Sequence, residues 1–287
     1  MDARRERGPF IPALIVSLLA GAAGAAEGPP RRPAGVSLSL NQARIWQRAP
    51  AQTTDLMILS GSYDLTRSVT LFGRLGLVDN RSGAEAKAWG VANPSVGASL
   101  GVPLTARLRL GLVFGSTLPV GSGGGDAPAR PTALSAMLSG TDWGGPMFGP
   151  NHIDVYEGFS LTATPRSFTF RIKSTLHPAM RVRGRKTDTL GPRVIFTSSG
   201  LLASRALTRQ MSVFVELSET RFLNHPPFLQ DDPSSRVDRY AAAGVSTDFH
   251  LGGARRLQPA VLYARGLDAP KTGRRFQLIE LDVQVGF

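Results

Sequence analysis

The side chains with the greatest potential for chemistry in this chain are four histidines and its serines, and their spacing does not favour catalysis. His152, His177, His225 and His250 form neither a His-x-x-x-His nor a His-Glu-x-x-His pattern, so a metal site has no local support. A serine nucleophile needs an adjacent histidine, and no His-x-Ser pair occurs. The sequence therefore predicts no catalytic residue, no metal site and no cofactor.

Two other motifs are also better explained without chemistry. Asp231 and Asp232 form an acidic pair, but they lie in a proline-rich segment where solvated charge is the default. The glycine run 121–125 is not followed by Gly-Lys-Ser or Gly-Lys-Thr, so it lacks the features of a phosphate-binding loop.

The composition excludes further classes of protein. The 287 residues include no cysteine, which rules out disulfide scaffolds and cysteine-ligated zinc or iron–sulfur sites. Hydrophobic residues make up 42% and charged residues 19%, a balance that argues against a disordered chain. The formal net charge of +12 raises the question of nucleic acid. No recognisable nucleic-acid module accompanies that charge, so we expect no nucleic-acid partner.

The N-terminus is organised like a secretory signal peptide. Three arginines (Arg4, Arg5 and Arg7) precede an apolar stretch from Phe10 to Ala20 and then a run of small residues ending at Ala26. A membrane-spanning helix would need about 20 apolar residues. We predict a signal peptide over 1–26, a periplasmic linker over 27–35 and one β domain over 36–287. An anchor helix retained by the mature protein is the alternative.

Apolar and polar residues alternate with a period of two throughout the remaining chain. In the last segment, Ile279, Leu281, Val283, Val285 and Phe287 share one face, and the residues between them are polar or glycine. This periodicity is typical of strands that are half buried. The predicted strands are 36–48, 54–65, 68–79, 90–103, 106–118, 151–164, 167–181, 192–204, 209–222, 238–251, 255–266 and 274–287.

The connections between these strands alternate between short and long. Five tight turns follow the even-numbered strands, whereas segments such as 80–89, 119–150, 182–191 and 223–237 follow odd-numbered ones. An even-numbered antiparallel meander with turns at one end and loops at the other predicts an all-β, up-and-down transmembrane β-barrel of about 12 strands. Closure is required because every backbone group in hydrocarbon must be paired within the protein. A soluble β-sandwich or ligand-binding barrel is the alternative.

The final residues, Leu281–Phe287 (LDVQVGF), resemble the terminal signature of bacterial outer-membrane proteins. That resemblance implies a Gram-negative source, an outer-membrane location and recognition of Phe287 by the outer-membrane assembly machinery. A second segment, 93–121, resembles the transporter-like family of the meta-pathway of phenol degradation, in its strand pair and its Leu-Pro-Val-Gly turn. Members of that family are presumed channels for hydrophobic compounds. The resemblances imply a porin-like channel for passive passage of small solutes, including hydrophobic or aromatic ones.

Charged side chains on the polar faces are the candidates for lining a pore, where they would set selectivity. These pore-lining candidates are Arg74, Arg107, Arg109, Asp154, Arg171, Lys173, Glu216, Asp248, Glu280 and Asp282. The cations come from predicted strands three, five and seven, and the anions mostly from six and nine to twelve, so opposite walls would differ in sign. Such a field would orient a polar solute, or the charges would pair and plug the lumen. Glu157 falls on the apolar face, which indicates either a position above the membrane or a bulge.

The longest predicted loop, 119–150, contains a stretch with helical character at 132–140 and apolar bulk from Trp143 to Phe148. It either folds into the barrel mouth as a constriction or remains at the surface. Basic residues in the loops, at 181–186 and 271–275, suggest contact with anionic lipopolysaccharide and lipid head groups. Two alternatives to a channel remain: an outer-membrane lipid-modifying enzyme and a plugged structural or adhesive barrel.

Overall fold

A computed structural model describes residues 35–48, 51–82, 88–122, 147, 149, 151–184, 191–231, 233–252, 255–268 and 276–287. The predicted signal peptide, the helical stretch 132–140 and Trp143 lie outside these residues. Among the described residues, no helix has the length and hydropathy needed to span a membrane.

The described chain is almost entirely β-structure. The strands are β1 Val36–Arg48, β2 Ala51–Asp64, β3 Val69–Ser82, β4 Ala88–Val91, β5 Ser95–Thr105, β6 Leu108–Thr117, β7 His152–Ala163, β8 Phe168–Arg181, β9 Arg193–Ala206, β10 Met211–Phe222, β11 Val237–Thr247, β12 Phe249–His250, β13 Arg256–Gly266 and β14 Gln277–Gly286. A short helix, Pro227–Asp231, and a 3-10 turn, Pro233–Arg236, precede β11.

The strands form one closed antiparallel meander. Strands that are neighbours in the wall follow one another along the chain, with the two exceptions given next, and β1 pairs with β14 from Ser37↔Gly286 to Trp46↔Gln277, which closes the ring. Both β4 and β5 pair with β3, and both β11 and β12 pair with β13, so each of these two sets occupies one position in the wall. The fourteen segments therefore make the twelve-stranded barrel that the sequence predicts.

The two ends of the barrel differ, as predicted. Short turns such as 65–68, 106–107, 164–167 and 207–210 gather at one end, together with both ends of the described chain; we call this end the turn rim. The opposite end, the loop rim, carries the longer connections, with the exception of 49–50 between β1 and β2. Of the non-glycine residues, Arg166 has a positive φ of 54°, inside the turn between β7 and β8.

The outer surface of the wall is apolar. Large hydrophobic side chains are exposed on all twelve positions, and Leu75, Phe114 and Val215 are each about half exposed or more. The same alternation that places these residues outside points serine, glycine and charged residues inward. In water such a surface would expose a continuous apolar belt, which soluble monomers avoid. The belt is the surface expected of a barrel that crosses a bilayer.

Glu157 interrupts this apolar surface between Val155 and Phe159. It faces outward and pairs in register with Phe114 of β6 and Leu176 of β8. No register shift interrupts the pairing of β7 on either side, so of the two alternatives for Glu157 the bulge is wrong.

Candidate functional site

A chamber of about 550 Å³ occupies part of the barrel interior. Its walls are formed mainly by β1 to β3 and β5 to β9, because inward-facing positions on these strands carry small residues. Hydroxyl groups from Ser60, Ser99, Ser160 and Thr162 line it, together with the amide of Gln284. The volume lies within the range of about 300–1,000 Å³ that is typical of small-molecule sites.

Four cationic side chains reach this chamber: Arg74, Arg109, Arg171 and Lys173. Arg109 on β6 and Arg171 on β8 both stand opposite Thr162 of β7, so strand pairing brings them to the same level. Arg171 Nε donates to Thr162 Oγ1 at 3.3 Å, and Lys173 Nζ lies 3.0 Å from Glu216 Oε1. These four are predicted pore-lining residues that the structure brings together.

The predicted anionic pore-lining residues also point inward, but they are covered. Asp154, Glu216, Glu280 and Asp282 are all less than 9% exposed, and none of them lines the chamber. Asp154 Oδ2 lies 2.9 Å from His177 Nδ1, and Asn41 Nδ2 donates to Glu280 Oε1 at 2.9 Å. Glu216 lies on β10, and Glu280 and Asp282 lie on β14, but Asp154 lies on β7 between the strands that carry Arg109 and Arg171. The two signs are therefore not cleanly divided between opposite walls.

Arg107 and Asp248 differ from the expectation that they line a pore. Arg107 lies in the exposed turn between β5 and β6, because β6 begins at Leu108 rather than two residues earlier. Asp248 stands between β11 and β12, where its carboxylate is 3.5 Å from Arg256 Nη1 at the turn rim. Phe287 follows β14, and its backbone N–H donates to Val36 O, which continues the closing seam.

An arc of rings lies on the chamber wall: Phe72, Tyr156 and Phe196, which the sequence analysis missed, and His177. Strand pairing aligns Phe72, Gly97, Gly115 and Tyr156 across four neighbouring strands. A Cβ atom added to Gly97 would be 2.5 Å from the Phe72 ring, and one added to Gly115 would be 2.4 Å from the Tyr156 ring. Because these two glycines have no side chain, the rings of Phe72 and Tyr156 can lie flat along the wall beside them. The rings of His177 and Phe196 stack at 4.6 Å.

Beside these buried polar residues, the described interior outside the chamber contains a cluster of apolar side chains, which the sequence analysis also missed. Buried residues of one cluster come from both sides of the closing seam and from β9 to β11, and include Ile45, Leu56, Phe214, Leu262 and Leu278. Met147, from the long loop, belongs to the same cluster and is 2% exposed. At least this end of the loop therefore reaches the barrel interior.

Asn93 fastens both ends of that loop to the wall. It is fully buried in the break between β4 and β5, and its Oδ1 accepts from Gly121 N at 2.7 Å. Its Nδ2 donates to Gly149 O at 2.7 Å and to His152 O at 3.2 Å. The backbone N–H of Asn93 donates to Met147 O. One side chain thus satisfies backbone groups that the interrupted sheet leaves unpaired.

One serine has the spacing of a hydrolase nucleophile, but its setting is different. Gly97, Ser99 and Gly101 give a Gly-x-Ser-x-Gly sequence, which in hydrolases forms a sharp turn between a strand and a helix. Here the segment lies within β5 and pairs regularly with β6. All four histidines are among the described residues, and none faces outward on a membrane-spanning strand, where an enzyme acting on lipids would need one.

Comparisons with known proteins give matches in structure only. No protein-family model and no curated protein matches the chain. An outer membrane channel from Pseudomonas putida F1 is similar, with a TM-score of 0.62 and 16% identity, over 93% of this chain and 99% of that one. The beta domain of the Bordetella autotransporter BrkA is also similar, with a TM-score of 0.51 and 12% identity, over 88% and 98% of the two chains. The NanC porin matches with a TM-score of 0.48 and 11% identity, over 87% of this chain and 99% of that one.

At these identities the likeness concerns the fold. The chain has the fold of an outer-membrane β-barrel, which agrees with its apolar belt and closed meander. Both a channel and an autotransporter domain have this architecture, so the fold alone does not distinguish between these functions. The residues inside the barrel do.

Proposed function

We propose that the protein is an outer-membrane channel for the passive passage of small solutes. The observation that carries this proposal is a polar, cation-lined chamber of about 550 Å³ inside a closed barrel whose outer surface is apolar. A barrel with only a structural role would not need to keep four cationic side chains around an unfilled interior. The similarity to the Pseudomonas putida channel supports the same use. The turn rim then faces the periplasm and the loop rim the exterior.

The decisive experiment is conductance of the refolded full chain in planar bilayers, with liposome swelling in sugars, amino acids and aromatic acids to identify the solute class. Two serine-to-tryptophan variants provide a matched comparison. Ser160 lines the chamber, so S160W lowers conductance and swelling. Ser199 lies on the outer face of β9, so S199W leaves both unchanged. Absence of conductance from the native chain, or equal effects of the two variants, would contradict a channel.

The finer identity of the solute rests on the resemblance of 93–121 to the phenol-degradation transporter-like family. We propose hydrophobic or aromatic compounds as solutes, in keeping with the aromatic side chains on the chamber wall. The two alternatives have less support. A lipid-modifying enzyme would need a histidine on the outward face, and none of the described strands has one there. In a plugged barrel the chamber would be filled, whereas here the apolar cluster only narrows the lumen.

Outer-membrane lipids, lipopolysaccharide and the assembly machinery are the proposed partners. Outward-facing charges near the loop rim support contact with anionic head groups: Arg221 and Arg239 both pair with Glu219, at 2.9 and 2.7 Å, and each is about half exposed. Phe287 at the end of the closing strand supports recognition by the assembly machinery. Replacing Phe287 with Ser should lower the yield of folded barrel in the outer membrane while leaving refolding into detergent unchanged.

A further inference from the structure

We infer that the chamber selects organic anions, and among them arene carboxylates, whose carboxylate is bound by the arginines and whose ring lies on the aromatic arc. This inference rests on the proposed channel function and specifies its solute. It is carried by two independent features of the chamber: the sign of its charge and the position of its rings.

The charge of the chamber surface is positive. Arg74, Arg109, Arg171 and Lys173 line it, and among the described residues no carboxylate does. Lys173 is paired with Glu216, whereas no described carboxylate makes an ion pair with Arg74 or Arg109. A Cβ atom added to Gly101 would be 2.2 Å from Arg109 Nη2, so the guanidinium lies along the bare backbone of β5. Two arginines are therefore available to bind an anion.

The rings adjoin one of these arginines. Arg74 Cζ lies 5.3 Å from the centroid of Phe72, two residues away on the same strand. Phe72 is followed around the wall by Tyr156 and His177, with Tyr156 held by a 2.8 Å hydrogen bond between its hydroxyl and Ser95 Oγ. A carboxylate bound at Arg74 would have its apolar body against these rings, where aromatic pairs add stabilisation beyond the burial of area.

A second cationic position lies closer to the turn rim. Arg171 is six residues from His177 along β8, which corresponds to about 20 Å at the usual rise per residue. Arg109 is at the level of Arg171 through their common neighbour Thr162. An anion leaving the arc therefore meets a second set of cations, and passage between several weak sites is what conduction requires.

The charge is tested by the reversal potential of the full chain in a KCl gradient. We expect chloride to be more permeant than potassium. In R74Q and in R109Q, we expect the ratio of chloride to potassium permeability to fall by roughly threefold. This is the factor given by one unit charge at about 6 Å in a water-like medium. R67Q, which removes the same charge from the exposed β2–β3 turn, is the control and leaves the ratio unchanged. Potassium preference, or equal shifts in all three variants, would overturn the inference.

The aromatic part is tested by block of the chloride current. Benzoate blocks at lower concentration than acetate, and Y156L raises the half-blocking benzoate concentration about two- to tenfold, as expected for loss of one aromatic contact. Y156F keeps the ring and retains the block, and chloride conductance itself reports that each variant is folded. Equal block by benzoate and acetate would overturn the choice of arene carboxylates. Absence of any native current would instead contradict the channel function.

Discussion

The side chain of Asn93 holds both described ends of the long loop. The loss in the free energy of unfolding that follows its removal can be estimated from its hydrogen bonds. In N93A the Gly121 N–H and the carbonyls of Gly149 and His152 lose their partner. Each net hydrogen bond contributes about 1 kcal/mol, and a buried unsatisfied N–H costs about 1–3 kcal/mol more. Since Asn93 is fully buried, water cannot replace it. The free energy of unfolding should fall by about 4–6 kcal/mol.

A second asparagine provides the matched control. Asn224 also bridges two backbone groups of a loop end, accepting from Ile195 N at 2.8 Å and donating to Arg193 O at 2.7 Å. This site is partly exposed, so water substitutes for the lost partners and N224A should cost about 1 kcal/mol. Asn93→Asp is a further comparison, because a carboxylate still accepts from Gly121 but cannot donate to the two carbonyls.

Denaturant unfolding in detergent micelles, followed by tryptophan fluorescence, measures these differences as midpoint shifts at constant slope. In planar bilayers, N93A should also alter the open-channel current, since the described ends of the loop are released from the interior, whereas N224A should not. If N93A and N224A destabilise equally and neither changes the current, the loop is held by other contacts and the reasoning about Asn93 is wrong.

Four further changes have defined outcomes. Lys173→Gln leaves Glu216 with its Ser218 hydrogen bond but without its ionic partner and, because Lys173 is 37% exposed and solvent screens the pair, should cost about 1–3 kcal/mol, while adding Glu216→Gln should recover much of the loss; unfolding midpoints of the two variants test this. Glu280→Gln keeps an oxygen to accept from Asn41 and removes one of two interacting buried carboxylates, so the unfolding midpoint should not fall; a lower midpoint would count against a repulsive pair. Gly115→Val forces the Tyr156 ring off the wall and should cost about 1–3 kcal/mol, whereas Gly286→Val, which meets no atom within 4 Å, should cost less in the same unfolding measurement. Deleting 122–146 should change single-channel conductance, and unchanged conductance would contradict a constricting loop.

The strands were predictable because alternation is a local property of the sequence. Predicted and observed limits agree closely for most strands, since each has one face toward the apolar exterior. The breaks after Val91 and Thr247 were not predictable. At the first break, the side chain of Asn93 bonds with residues from a loop distant in sequence, and no local pattern encodes that contact.

The chamber was only partly predictable, because the pairing of distant strands determines which charged side chains reach its surface. Alternation placed Arg109, Arg171 and Glu216 on polar faces, but only strand pairing puts the two arginines opposite Thr162 and leaves Glu216 covered beside Lys173. A slip of one residue in any strand would move its charges to the apolar exterior, so the apolar belt holds this register in place. The carboxylates of Asp154, Glu216 and Glu280 are buried beside His177, Lys173 and Asn41 respectively. Arg74 and Arg109 remain on the chamber surface. These buried carboxylates do not line the chamber, so the charged side chains that a solute would meet there are cationic.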